Sequence, residues 1–175
     1  MSPTSAPNVG PLGVRVVART ARHLPEIKSG FDSGIASATT VYRLPRSLSV
    51  DSASLALNRR RRDRPMYSIV AGRRVVGVCS LRAPLFAGVE LTIAIFDPAY
   101  RGAGVGTFAV RTLCDTAFGE LGLSRVELGV YPDNAPAIRC YERCGFAHEA
   151  LLRRFVYHDG AWRDLIWMAR TSAAL

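Results

Sequence analysis

The sequence predicts an α/β fold, a mixed and mostly antiparallel sheet with helices packed around it, and three observations carry that prediction. Three β-type runs, Tyr67 to Ala71, Val75 to Leu81 and Val89 to Phe96, follow one another with turn residues between them. A glycine-rich turn then leads from the third run into a helix and on to a further apolar run, Arg125 to Tyr131. A strand-helix-strand unit of that length closes in parallel, with a right-handed crossover. Finally Asp159-Gly160, a tight-turn pair, joins Phe146 to His158 with Ala161 to Arg170 as a terminal hairpin.

Each element has its own reason. Met1 to Gly13, rich in Pro, Ser and Gly, reads as a disordered tail, and residues 14–175 read as one domain. Val14 to Arg19 suits a first strand, and Thr20 can cap a short helix through about Lys28. Ser29 to Pro45 is weakly patterned, with Gly30 and Gly34 interrupting it, and is open to a second helix or a long substrate loop. Asp51 to Arg62 holds no Pro or Gly, starts on Asp and Ser, and is expected as a helix closed by Pro65. Gly72-Arg73-Arg74 turns the first hairpin of the meander, and a Pro-Leu-Phe-Ala-Gly connection leads into its third strand. The glycine-rich turn opens a helix from about Thr107 to Glu120. The next helix, Asn134 to Cys144, has Asp133 or Asn134 as its cap, Pro136 in its first turn, and Gly145 where a left-handed residue ends a helix.

At 175 residues, 49% of them hydrophobic, the chain can bury a single core of its own. No apolar run approaches a membrane span and the N-terminal residues lack the regions of a signal peptide, so a cytoplasmic protein with no membrane partner is expected. Cys79, Cys114, Cys140 and Cys144 form no Cys-x-x-Cys pair, and His23, His148 and His158 do not cluster with them. Neither a metal site nor a disulfide framework follows, and Cys140 and Cys144 read as neighbouring reduced thiols. The net charge of +9 is almost wholly arginine, Lys28 being the only lysine. Its densest patch, Arg59 to Arg62 with Arg64, has no aromatic residues interleaved, which favours a solvated helix end over a nucleic-acid site.

The stretch Leu91 to Gly106 reads as a pyrophosphate cradle. Arg101, Gly102, Gly104 and Gly106 give Arg-x-x-Gly-x-Gly, in which bare backbone N–H groups can approach a phosphate. The following helix adds unpaired amides and the positive end of its dipole, and the arginine adds a charge-assisted bond. Taken alone, the same glycines could merely turn the chain. A P-loop is excluded because Gly106 precedes Thr107 and no lysine. A Rossmann turn is disfavoured because Asp97 to Arg101 separate the strand from the first glycine.

A meander feeding a parallel unit, this Arg-x-x-Gly-x-Gly, and then Asn134-x6-Tyr141-x3-Gly145-Phe146 together resemble the GNAT superfamily of acyl-CoA-dependent N-acetyltransferases. Val89-Glu90-Leu91 and the Asp159-Gly160-x-Trp162-x-Asp164 ending resemble its branch of RimJ/RimL-type and spermidine acetyltransferases. The resemblance implies a sheet splayed between its fourth and fifth strands, with acetyl-CoA as cofactor and its pantetheine arm in the gap. It assigns the phosphates to Arg101, Gly102, Ala103, Gly104, Val105 and Gly106. It assigns the pantetheine to main-chain groups near Ala94, Ile95 and Phe96, and to Asn134, which also serves as a helix cap.

Acyl transfer to an amine needs a neutral nucleophile, a donor for the oxyanion and an acid for the departing thiolate. Tyr141, two helical turns beyond Asn134 and so on its face, is the candidate acid; a tyrosine packed between helix and sheet is the alternative. Glu90 is the candidate base, and equally fits a surface residue at a strand start. Some relatives carry a glutamate five residues before the asparagine, where this chain has Gly129; Glu127, on the same face, is an outside candidate. The acceptor implied is a primary amine, either a peptide N-terminus or a small molecule, with Ser29 to Arg64 shaping its site. Relatives are often dimers, so a homodimer is an open reading. A non-catalytic acyl-CoA-binding module, a nucleic-acid-binding protein and a Rossmann-like oxidoreductase are the competing classes.

Overall fold

The computed structural model describes residues 8–32, 65–82, 88–158 and 160–172. Strands β1 (Val14–Ala18), β2 (Met66–Ala71), β3 (Arg74–Arg82), β4 (Val89–Ile95), β5 (Arg125–Val130), β6 (Ala147–His158) and β7 (Ala161–Thr171) form one sheet in the order β1-β2-β3-β4-β5-β7-β6. All neighbours run antiparallel except β4 and β5, which are parallel. Three helices accompany it among the described residues: α1 (Leu24–Asp32), α2 (Val105–Asp115) and α3 (Ala135–Arg143). The mixed, mostly antiparallel sheet flanked by helices is the architecture that the meander and the parallel unit predict. The helix expected over 51–62, most of the stretch 29–45, the arginine run at 59–64 and Asp159 lie outside the described residues.

Two local differences have physical causes. Helix α2 begins at Val105, ahead of the expected start, because Gly104 takes the left-handed conformation at its N-cap. The helix then widens into a π turn over Thr116–Glu120, where the Leu121 amide donates to the Thr116 carbonyl. Within the stretch expected as a tail, Pro11–Gly13 form a 3-10 turn. Gly10 lies so close to the Phe108 ring on α2 that an added Cβ would fall 2.4 Å from Cδ1. Composition signalled Pro and Gly but not the packing partner that orders them.

Alternation along the strands divides the core between the two faces of the sheet. On one face Val89, Leu91, Val126, Leu128 and Val130 pack with Val105, Ala109 and Leu113 of α2 and Tyr141 of α3. On the other, Ala94 and Phe96 join Val78, Val75 and Val70 beneath Ile27 of α1. Strand β5 is buried on both faces, since Glu127 is as enclosed as its apolar neighbours. Among the described residues no helix is long and apolar enough to cross a membrane.

Gly77 on β3 is fixed by close approach: a Cβ there would stand 2.7 Å from the Ala94 carbonyl oxygen of β4. Gly119 in the π turn has nothing within 4 Å of an added Cβ. Urea denaturation is therefore expected to show Gly77→Ala destabilised by about 1–3 kcal/mol, and Gly119→Ala unchanged or stabilised by up to about 1 kcal/mol.

Candidate functional site

The connection from β4 to α2 is built stepwise. Asp97 accepts from the Ala99 amide at 3.0 Å and pairs with Arg74 at 2.9 Å, which sets a 3-10 turn at Pro98–Tyr100. The chain then passes Gly102 at φ +72° and Gly104 at φ +80°, where a side chain would be strained, and enters α2. A Cβ at Gly102 would meet nothing within 4 Å, so the turn is open on its outer side. Gly106 is different, since its added Cβ would make only ordinary contacts at 3.6 Å, with Cys140 Sγ and Ile95 Cδ1. The fold does not demand glycine there; its absence of a side chain leaves the first turn of α2 bare. Pro11 closes one side of the turn, its Cγ 3.4 Å from where a Gly104 Cβ would stand.

Beside this turn the parallel strands part. β4 and β5 are in register only at Val89↔Val126 and Glu90↔Glu127. Beyond Glu90 the β4 main chain still pairs with β3, through Ile95 opposite Gly77, but no longer with β5. Of the three residues expected to offer main-chain groups to a ligand, Phe96 has its amide committed to the Val76 carbonyl at 3.1 Å. The Ala94 carbonyl points to β3 as well, toward Gly77. Strand alternation therefore leaves Ile93 and Ile95 facing the gap. Arg101 lies across its mouth and donates from Nε and a terminal nitrogen to the Ile95 carbonyl, at 2.8 and 2.6 Å.

At the apex of the gap stand two carboxyl groups. Glu90 and Glu127 are register partners on the sheet face away from α2 and α3, both buried. Arg82, opposite Glu90 on β3, donates to its Oε2 at 2.6 Å from one nitrogen and 3.2 Å from another. Burial first, and then the neighbouring Glu127 carboxylate, push the Glu90 carboxyl up to about 7. Arg125 reaches both ways, to Glu127 at 3.0 Å and to Glu149 of β6 at 2.9 Å from a second nitrogen. One step along the same face, Ser80 Oγ and Thr92 Oγ1 are 2.6 Å apart.

Helix α3 follows β5 and packs with α2 through Tyr141. Asn134 caps it, its side chain accepting from the Ala137 amide at 3.3 Å. Tyr141 is 9% exposed among the α2 and α3 core, and burial pushes its phenol up, so the hydroxyl keeps its proton. Cys140 turns toward α2 and lies 3.4 Å from Thr107 Oγ1.

Sequence reasoning missed Arg82, Arg125 and Glu149. Arg82 meets Glu90 across the β3–β4 pair, Arg125 meets Glu127 two residues along the same strand, and Glu149 of β6 meets Arg125; the one available signal was an arginine two residues before Glu127 on the same strand face. Ala103 and Val105, expected in the phosphate run, flank Gly104 at the α2 N-terminus, where Val105 is fully buried.

A sequence profile described as the Acetyltransferase (GNAT) family matches residues 36–146. The chain belongs to the GNAT family. It is 37% identical over 93 residues to the probable N-acetyltransferase YjcK of Bacillus subtilis, covering 52% of this chain and 51% of that one. It is 36% identical to the N-alpha-acetyltransferase RimI of Mycobacterium tuberculosis, covering 58% of this chain and 63% of the relative. The chain thus spans about half the length of the first curated relatives it matches. In fold it is similar to Mycobacterium smegmatis RimJ in complex with CoA-disulfide, at TM-score 0.78 and 21% identity over 97% of this chain and 90% of that one. It is likewise similar to the Vibrio cholerae spermidine N-acetyltransferase in complex with CoA and spermine, at TM-score 0.76 and 21% identity over 90% and 95%. The parted strands are the GNAT sheet, here closed at its apex by Glu90 and Glu127.

The Glu90 carboxyl sets a pH dependence with a definite sign. Its folded-state value of about 7 lies above the ordinary 4.5, so between those values the folded chain holds a proton that the unfolded chain has lost. Stability therefore falls as pH rises through that window and levels off above about 7. Urea unfolding at pH 5 and pH 8 is expected to show this loss, on the order of 1–3 kcal/mol, and Glu90→Gln is expected to flatten it.

Proposed function

We propose that this chain is an acetyl-CoA-dependent N-acetyltransferase acting on a primary amine, a peptide N-terminus or a small-molecule amine. The observation that carries the reading is the parting of β4 from β5 next to an open, positive-φ glycine turn at the start of α2. An extended arm bearing amides fits the first, and a pyrophosphate fits the second, so the residues present suit coenzyme A. Family membership and the CoA-bound GNAT structures of the same fold support it.

The amides at the start of α2, from Gly102 to Gly106, hold the phosphates, and Arg101 reaches them by releasing the Ile95 carbonyl to the arm. The main chains of Ile93 and Ile95 take the place of strand pairing for the arm, with Asn134 on the opposite wall. When bound, acetyl-CoA supplies an activated thioester that the amine attacks directly. Glu90 receives the proton of the incoming ammonium, for which a carboxyl near 7 is well matched at neutral pH. Arg82 and Glu127 hold that carboxyl in place. Tyr141, kept protonated by burial, serves the leaving thiolate. Basic composition does not select among acceptors, because the polar strip of Glu90, Thr92 and Glu127 presents its own local charge.

Isothermal titration with acetyl-CoA is expected to show binding that Gly104→Glu abolishes, since a side chain at φ +80° is strained, crowds Pro11 and sets a negative charge beside the α2 amides. A folded protein that binds no acetyl-CoA sinks the reading; binding without turnover on any amine leaves a non-catalytic module. With an active acceptor, Tyr141→Phe is expected to lower kcat by about 10- to 100-fold while leaving KM for acetyl-CoA nearly unchanged. In the same assay Glu90→Gln should lose the ascending limb of the kcat/KM profile near pH 7.

A further inference from the structure

Ser80 and Thr92 take no part in the chemistry above, yet on their face of the sheet they stand next after the last rung between β4 and β5. Thr92 follows Glu90 by two residues on β4, so both side chains lie on the face away from α2 and α3. Ser80 is opposite Thr92 on β3, as Arg82 is opposite Glu90, and the two hydroxyl oxygens are 2.6 Å apart. By this level β4 has left β5, since their register ends at Glu90↔Glu127. Thr92 therefore borders the gap, and Ser80 stands behind it.

The far side of the gap offers no polar side chain at the same level. Carried two residues further, the parallel register would set Thr92 beside Gly129. The space that a side chain would take at Gly129 is filled by Leu165 of β7, whose Cδ2 would lie 2.6 Å from an added Cβ. A nitrogen entering from this face thus meets an apolar wall on the β5 side. On the β4 side it meets the Glu90 carboxyl and the Thr92 hydroxyl.

Both hydroxyls are half-buried, and among the described residues each is the other's only hydrogen-bond partner. A hydroxyl carries one proton and two lone pairs. With Thr92 donating to Ser80, both lone pairs of Thr92 Oγ1 stay available to N–H groups.

We propose that the Thr92 hydroxyl, oriented by Ser80, is the docking point of the acceptor nitrogen, which donates one N–H to Thr92 and another to Glu90. The proposal rests on the acetyltransferase reading above. The ammonium proton passes to the Glu90 carboxylate, and none moves through the hydroxyl pair. The bond to Thr92 persists through that transfer. It fixes the nitrogen against rotation, so that its bared lone pair faces the gap and the thioester. Thr92 touches the acceptor; Ser80 acts through Thr92 and is a positioning residue.

The test is acetyl transfer to two amines small enough to reach the apex whatever the natural acceptor, followed by release of the coenzyme A thiol at pH 7.5. Ethylamine is largely an ammonium there, and hydroxylamine is largely neutral. Thr92→Val keeps the shape and loses the hydroxyl, and is expected to lower kcat/KM for both amines by about 10- to 100-fold with KM for acetyl-CoA unchanged. Thr92→Ser should stay within about threefold of the parent, and Ser80→Ala should lower kcat/KM by about three- to tenfold. The Ser80→Ala effect should vanish when Thr92→Val is already present. Glu90→Gln, by contrast, should impair ethylamine far more than hydroxylamine. Unchanged turnover in Thr92→Val overturns the proposal, as does a loss matched by weaker acetyl-CoA binding, which marks a distorted strand. Additive losses in the double variant overturn the role of Ser80. Acetyl-CoA binding with transfer to neither amine overturns the proposal and leaves the coenzyme site standing. A folded protein that binds no acetyl-CoA removes the acetyltransferase reading and the proposal together.

Discussion

The interaction on which the site depends is one that the sheet fails to make. β4 and β5 pair at Val89↔Val126 and Glu90↔Glu127 and then diverge, although both continue as strands, β4 on β3 and β5 on β7. A main-chain group shut away from water without a partner costs about 1–3 kcal/mol, so a sheet does not open internally unless something replaces the lost pairs. Part of the replacement is built in, since Arg101 spends its fork on the Ile95 carbonyl. The rest of the edge, on Ile93 and Ile95, remains directed across the gap. A partner there has to be extended and carry amide-like donors and acceptors at peptide spacing. That requirement comes from backbone geometry alone and is independent of any side chain.

The place where the strands part also fixes the electrostatics. Parallel register sets Glu90 directly beside Glu127, and two buried carboxylates side by side are held there only with compensation. Arg82 supplies it for Glu90 and Arg125 for Glu127, each from a neighbouring position on the same face. Burial and the neighbouring carboxylate still hold Glu90 near 7. A single register pair thus makes the last rung of the sheet and raises the Glu90 carboxyl.

Legibility in the sequence followed the range of the interactions involved. The β-branched runs, the Gly72-Arg73 turn, the Asn134 cap and the glycine turn at 102–106 are local, and each was readable because a few adjacent residues decide it. Glu90 and Tyr141 were readable as candidates only because a motif placed them. Their actual environments depend on contacts distant in sequence: Arg82 across β3, Glu127 across the parallel pair, and the α2 core around Tyr141. Phe96 shows the limit of motif transfer, for alternation commits its amide to Val76 and passes the gap-facing role to Ile95. Residues 10–13 show the limit of composition, since Pro and Gly read as a tail where the Phe108 ring supplies a packing surface.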